Sequence, residues 1–285
     1  MLRPSYTLTA LGTNWLIETD IELTQKLKQV ICTSLDDFDS IYSRFRDESL
    51  VRQLAREVGV FEFPDSAIDI IPFYKKLYEI SGGRVTPLIG RVLEQAGYDK
   101  EYSLKPQSLE VTPDWDDVMK WQGTTVTTSR PIVLDIGAAG KGYAVDMIGK
   151  VLENNNIKNY VIDASGDIRH RGDDEQQVGF ENPNNSTEVI GKVVLQNASL
   201  CASASNRRQW GDWHHIIDPT RNQPVREIVA TWVIAETTMI ADGLATALFF
   251  VPAKELLSNW QFQYVQMYAN GTVEYSQDLK GELFT

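Results

Sequence analysis

Thiols are scarce in this 285-residue chain: Cys32 and Cys201 are the two, and they lie far apart. That excludes a disulfide framework and a paired-cysteine metal site. Cys32 falls in an apolar helical pattern, where a thiol behaves as a small buried hydrophobe. Long apolar runs are also missing. None approaches the ~20 residues that span a bilayer. The opening, MLRPSYTLTALGTNWLIE, has no basic segment followed by an apolar one, so no integral membrane segment and no signal peptide are expected. As written, the chain reads as soluble and cytoplasmic, and one trimmed of a leader would read the same. Basic charge is in short supply too: 27 Lys and Arg stand against 39 Asp and Glu, a net charge of −12. With no dense Lys/Arg run, nucleic-acid binding by general electrostatics is excluded. A phosphate-bearing ligand would need a few placed cations or a divalent metal.

What is present is the composition of a globular protein, 42% hydrophobic and 23% charged. Residues 6–17 read as a strand interrupted at Gly12, Thr13 and Asn14. Leu27, Val30, Ile31, Leu35 and Phe38 make residues 24–41 an amphipathic helix. Ile68, Ile71, Tyr74, Leu77 and Tyr78 mark a second helix over 66–80, ended by Gly82 and Gly83. A short helix is expected near 115–121. Strands are expected at 124–128, 131–134, 158–163, 178–183, 191–195, 214–219 and 230–235. A strongly apolar helix covers 238–250, and a terminal hairpin turns at Asn270-Gly271. Strands and helices alternate without a regular βαβ repeat, which gives an α+β class.

The stretch LDIGAAGKGYAVD, residues 134–146, organises the rest. A short apolar run leads through Gly137, Ala138, Ala139 and Gly140 into a helix with Ala144, Val145, Ile148, Val151 and Leu152 on one face. Asp146 and Lys150, four apart, are expected to pair on the outer face. A glycine loop at a helix N-terminus presents amides to an anion, and Lys141 adds a full charge. The spacing is neither the dinucleotide fingerprint nor the Walker phosphate loop, so a tight turn built only for packing stays open beside the phosphate site.

Asp242 interrupts the apolar helix, and Thr246 lies one turn on. A buried carboxylate costs several kcal/mol unless it is paired or holds a metal. Residues four apart share a face, so the two offer oxygens to one hard cation. The alternative is a polar stripe with Asp242 in water and Thr246 bonded back to its helix. His215, with Asp218 nearby, reads as a general base with an orienting acid or as a surface histidine beside His214. Arg207 and Arg208 either clamp phosphate or are solvated.

Seven separate blocks, in order from Leu11 to about Val251, resemble those of the ApbE family of FAD:protein FMN transferases. They are GTNW, YSRFRDES, SGGRVTPLIG, LDIGAAGKGYAVD, IDASGDIR, HHIIDPTRNQPV and MIADGLATALF. The resemblance implies one mixed-sheet, T-fold-like domain over residues 1–285, with helices packed on the sheets. It implies a Mg²⁺-dependent enzyme that takes FAD as substrate, cleaves its pyrophosphate and attaches FMN to a threonine or serine hydroxyl of an acceptor protein, releasing AMP. By matching position, Asp242, Thr246 and the Ala138 carbonyl would hold Mg²⁺. Gly137, Ala138 and Lys141 would meet phosphate. Ser43, Arg44 and Phe45, with Asp163, Ser165, Gly166 and Asp167, would border the flavin or adenine. His215 would lie at the reacting phosphate, and His215, Asp242 and Lys141 would be the catalytic set. Leu50, Ala55, Gly140, Ser165 and Asn222 depart from the family pattern. Many relatives are exported or lipid-anchored. The competing readings are a Mg²⁺-dependent FAD pyrophosphatase with water as acceptor and a non-catalytic FAD-binding protein.

Overall fold

The computed structural model describes residues 3–284. In chain order it contains strands β1 (Ser5–Ala10) and β2 (Thr13–Thr19), helices α1 (Gln25–Tyr42) and α2 (Leu50–Leu54), β3 (Val60–Glu62), α3 (Ser66–Ile80), α4 (Gly90–Gln95) and α5 (Trp115–Val118). Strands β4 (Met119–Gln122) and β5 (Thr125–Thr128) follow, then α6 (Gly140–Asn154), β6 (Tyr160–Asp163), β7 (Asp167–Arg171), β8 (Gln176–Asn182), β9 (Asn185–Leu195) and β10 (Ser199–Ala204). Four two-residue strands come next, β11 (Gln209–Trp210), β12 (Trp213–His214), β13 (Ile217–Asp218) and β14 (Gln223–Pro224). The chain ends with β15 (Ile228–Ala235), α7 (Thr238–Ala247), α8 (Ala253–Leu257), β16 (Gln263–Tyr268), β17 (Val273–Tyr275) and β18 (Gly281–Leu283).

Eight strands form the main sheet in the order β1-β2-β6-β7-β10-β15-β16-β17, and a three-stranded sheet, β18-β9-β8, lies beside it. The α+β class holds. Every ladder among the described residues is antiparallel, where a mixed sheet was expected. One core fills the space between the main sheet's inner face and helices α1, α3, α6 and α7. A second, centred on Phe180, Leu200 and Trp232, joins the outer face to β8 and β9. No described helix is long and apolar enough to cross a membrane.

The local reasons are plain in most elements. Thr24 caps α1 by accepting from the Leu27 amide at 3.2 Å. Leu27, Ile31, Leu35, Phe38 and Tyr42 form its buried stripe, while Val30, one position off it, is 40% exposed. In α3 Ile68 faces water instead of the core. Pro72 lies within that helix, and the amide it lacks would have reached Ile68, at the solvated first turn. Cys32 is half-buried, with its Sγ 3.1 Å from the Tyr6 hydroxyl.

Two expected elements change character. The helix near 115–121 lasts one turn and then becomes β4, paired with β5. Ile132, Val133 and Leu134 are buried, but residues 131–134 join no ladder among the described residues. Their neighbourhood is bonded piecemeal, the Ile132 amide to the Leu54 carbonyl and the Asp135 amide to the Pro87 carbonyl.

Asp146 overturns the expected surface pair with Lys150. It is buried, and its two carboxylate oxygens accept from the Thr238 and Met239 amides at 3.0 and 2.9 Å, capping the first turn of α7. Arg169 on β7 supplies its counter-charge and donates from Nε to the Tyr160 hydroxyl at 3.0 Å. Residue 146 faces inward because α6 packs against both β7 and α7. Truncating Asp146→Ala strands a buried guanidinium and two helix amides. It is expected to destabilise the protein by about 3–5 kcal/mol, read as a fall in the denaturant midpoint at unchanged slope. A loss under about 1 kcal/mol would place the pair in water.

Candidate active site

Helices α6 and α7 cross where neither has bulk. A Cβ on Gly142 would run into the Thr238 carbonyl and lie 2.8 Å from the Asp242 Cβ. A Cβ on Gly243 would strike the Phe73 ring. Because Gly142 has no side chain, its amide reaches Asp242 and donates to Oδ2 at 2.9 Å. Asp242 is only 6% exposed. Burial pushes its carboxyl well above the usual range, and the Asp167 charge pushes it the same way. Thr246, one turn on, is half-buried. The alternative of a solvated Asp242 does not hold.

Lys141 opens α6 and turns into this acidic pocket. Its Nζ lies 2.6 Å from Asp167 Oδ2 and donates to the Ala164 carbonyl at 2.9 Å. Burial opposes its charge, but Asp167 and Asp242 keep its pKa above the ordinary lysine value. Asp167 is 1% exposed. Lys141, Asp167 and Asp242 thus form one cluster, carrying two carboxylates and one ammonium.

The loop before α6 is shaped by two side chains. Asp135 Oδ1 accepts from the Gly137 amide at 2.7 Å, and Asp135 Oδ2 takes Arg44 Nε at 2.6 Å. Burial opposes the Asp135 charge, yet Arg44 and the Gly137 amide hold its carboxyl below the usual range. Tyr74 on α3 accepts from the Ala138 amide through its hydroxyl at 3.1 Å. Its stripe position in α3 marked Tyr74 as core. Its hydroxyl, which a helical pattern does not report, reaches the loop. Asp135 lay inside the organising motif, but nothing in the spacing announced its partner 91 residues away.

The other expected residues divide. Arg44 is 2% exposed and belongs to this site, not to a solvated loop. Arg46 faces outward among Asp36, Asp39 and Glu48. Ser43 ends α1, and its carbonyl accepts from the Ser49 hydroxyl at 2.6 Å. Phe45 stacks on Tyr102 and meets Tyr98 edge-on. Asp163 faces away from Asp167. It accepts from the Gly166 amide at 2.9 Å and borders an outer groove of about 560 Å³ lined by Thr7, Thr9, Asn14, Leu16 and Ser165. Ser165 sits at φ 56° and Gly166 at φ 101°, and the Ser165 hydroxyl donates to the Asn14 carbonyl at 2.9 Å.

His215 corrects the acid–base expectation. Asp218 does not orient it; that carboxylate accepts from the Thr220 amide and hydroxyl at 2.9 and 2.6 Å, closing its own turn. His214 is buried instead of exposed. It bonds the Val225 carbonyl through Nε2 at 2.8 Å and accepts from the Ile216 amide at Nδ1, which fixes the Nε2–H tautomer. Burial, then the Arg208 and His214 charges, lower the His215 pKa to about 3, and its Nδ1 has no partner among the described residues.

Two outcomes follow. Gly142→Ala forces α6 and α7 apart and is expected to cost about 1–3 kcal/mol of stability, measured by chemical denaturation. No loss would mean the crossing can relax. An unfolded imidazole protonates near 6.5, whereas folded His215 does so near 3. Between those values the unfolded state binds more protons, so this contribution to stability is present above pH 6.5 and is lost as pH falls. Wild type should therefore lose more stability than His215→Gln between pH 7 and pH 4. Parallel curves would contradict a buried neutral ring.

The model of the ApbE family matches residues 11–268. A protein of Haemophilus influenzae named FAD:protein FMN transferase is 24% identical over 251 residues, covering 79% of this chain and 72% of its own. One of the same name from Escherichia coli K12 is 22% identical over 278 residues, covering 87% and 79%. The crystal structure of the ApbE protein of Thermotoga maritima superposes with a TM-score of 0.84 at 22% identity, over 96% of this chain and 97% of that one. Flavin transferase ApbE from Vibrio cholerae gives 0.79 at 18% identity over the same shares. With nine-tenths of its length matched by the family model and its fold shared with solved members, the chain belongs to the ApbE family.

Proposed function

We propose that this protein is a Mg²⁺-dependent FAD:protein FMN transferase and that residues 1–285 act as one domain. The acceptor's threonine or serine oxygen attacks the FMN phosphorus, the bridging P–O bond breaks, AMP leaves and the hydroxyl proton is removed. The observation that carries this reading is the buried Asp242 carboxylate, tied to the glycine loop through Gly142. Relatives that share this family bear the name of that activity.

The residues fit a hard dication. Asp242, the Thr246 hydroxyl one turn on and the Ala138 carbonyl form an oxygen-only set. The Gly142 amide bonds Asp242 instead of the Ala138 carbonyl four residues back. The Asp242 carboxyl, pushed toward protonation by burial and by Asp167, is the kind of group a bound cation keeps ionised. No cluster of three or more His, Cys, Asp or Glu gathers among the described residues, so phosphate oxygens would complete the shell. Bound there, Mg²⁺ would draw charge from the non-bridging oxygens.

The chain's own residues supply position and a proton acceptor. Arg44, through Asp135, fixes the Gly137 amide, and Tyr74 fixes the next one. Neutral His215 offers an unpartnered Nδ1. An anionic pyrophosphate beside it raises its basicity, which prepares it to take the acceptor hydroxyl proton.

Mass spectrometry tests the reading. The protein is incubated with FAD and Mg²⁺, with and without a peptide carrying Asp-Gly followed by Ser/Thr-Gly-Ala-Thr. A flavinylated threonine together with AMP is the expected result. FMN and AMP without labelled peptide would replace transfer by hydrolysis, and intact FAD would overturn both. Asp242→Ala is expected to lower turnover by about two or more orders of magnitude.

A further inference from the structure

Arg207 and Arg208 are adjacent and both exposed, but they meet different partners. Arg207 pairs with Glu181 at 3.0 Å. Arg208 has no carboxylate partner within 4 Å among the described residues. Its guanidinium carbon lies 5.8 Å from the centre of the Tyr98 ring. Its carbonyl accepts from the His215 amide at 3.3 Å, which ties it to the site.

The same ring carries a second guanidinium. Arg44 lies 4.9 Å from the Tyr98 centre and 4.1 Å from that of Phe45. It spends Nε on Asp135, but both of its terminal nitrogens are buried without a hydrogen-bond partner among the described residues. Asp99, the next acid nearby, is spent on its own loop, accepting from the Glu101 and Ser103 amides at 3.0 Å each. Of the two guanidinium groups at this end, Arg44 pairs with Asp135 and feels the charge of Asp99, while Arg208 pairs with neither. The opposite end holds two carboxylates, Asp167 and Asp242, against Lys141. Arg208 bears on both, because its charge acts on Asp135, His215 and Asp242.

We propose that Arg208, backed by Arg44 across Tyr98, forms an anion subsite that holds one phosphate ester of the nucleotide ligand, opposite the acidic end. This rests on the reading that the site takes a dinucleotide, and it assigns the arginine that meets it. A guanidinium over an aromatic ring suits this task. The ring restrains its plane while the N–H fork stays open to phosphate oxygens.

Binding without turnover separates this proposal from the transfer reaction. Metal-free protein is titrated calorimetrically with AMP, adenosine, FMN and riboflavin. Wild type is expected to prefer the phosphorylated member of at least one pair, and that pair identifies which phosphate is held. Arg208→Gln should reduce that preference about ten- to a hundred-fold and leave the unphosphorylated partner's affinity unchanged. Arg208→Lys should retain part of the preference, and Arg207→Gln all of it. Three results would each overturn the subsite: no preference in wild type, an unchanged preference in Arg208→Gln, or an equal loss in Arg207→Gln. FAD left uncleaved while the Arg208-dependent preference persists would sink the transfer reading alone.

Discussion

The structure depends on one contact, a backbone amide of α6 donated to a buried carboxylate of α7. Gly142 and Asp242 meet because glycine removes the only atom that would keep the helices apart. Most of the surrounding design makes that carboxylate tolerable. Asp146 and Arg169 anchor the start of α7. The small residues of α7 let α3 press against it, which brings the Tyr74 hydroxyl to the glycine loop. A single hydrogen bond does not offset the cost of an ionised buried acid. Lys141 is shared between Asp242 and Asp167, and a buried acid whose carboxyl is held well above the usual range is a functional-site signal in its own right.

The charges follow the same logic. A protein of net charge −12 has no general attraction for a phosphate ester. It places its cations individually, and each has a different duty. Lys141 is absorbed by Asp167 and steadies the acidic end. Arg44 is absorbed in part by Asp135 and shapes the loop. Arg208 has no acidic partner among the described residues and lies by the ring that Arg44 also covers.

The fold was legible where one physical signal dominates. Helical periodicity revealed α1, α3, α6 and α7, and Asn270-Gly271 revealed the last hairpin, with Gly271 at φ 86°. Asp242 was legible as an acid out of place in an apolar helix, and its spacing alone left open whether it faced water; the structure buries it. What escaped were side chains with two faces. Tyr74 read as core although its hydroxyl is the working part. Asp146 read as a surface ion pair because Arg169 is distant in sequence. Asp218 read as the acid orienting His215, yet it is buried and closes its own turn, and His214 is buried against the Val225 carbonyl. Pairwise spacing carries no information about a partner on another element, and those partners settle each case.

The departures from the family pattern are absorbed locally. At Gly140, where alanine is usual, a Cβ would come within 2.6 Å of Ile136 Cδ1, so the smaller residue accompanies the larger neighbour. Asn222 adopts φ 52°, a conformation asparagine tolerates better than most residues. Ser165 holds φ 56° with its hydroxyl bonded to the Asn14 carbonyl, which ties the β6–β7 turn to the first hairpin. Leu50 follows the cap Ser49 at the start of α2, and Ala55 ends that helix. None of these five makes a hydrogen bond to Asp242, Lys141 or Asp167. The five departures are thus accommodated by their own neighbours, and the contacts among Asp242, Lys141 and Asp167 do not involve them.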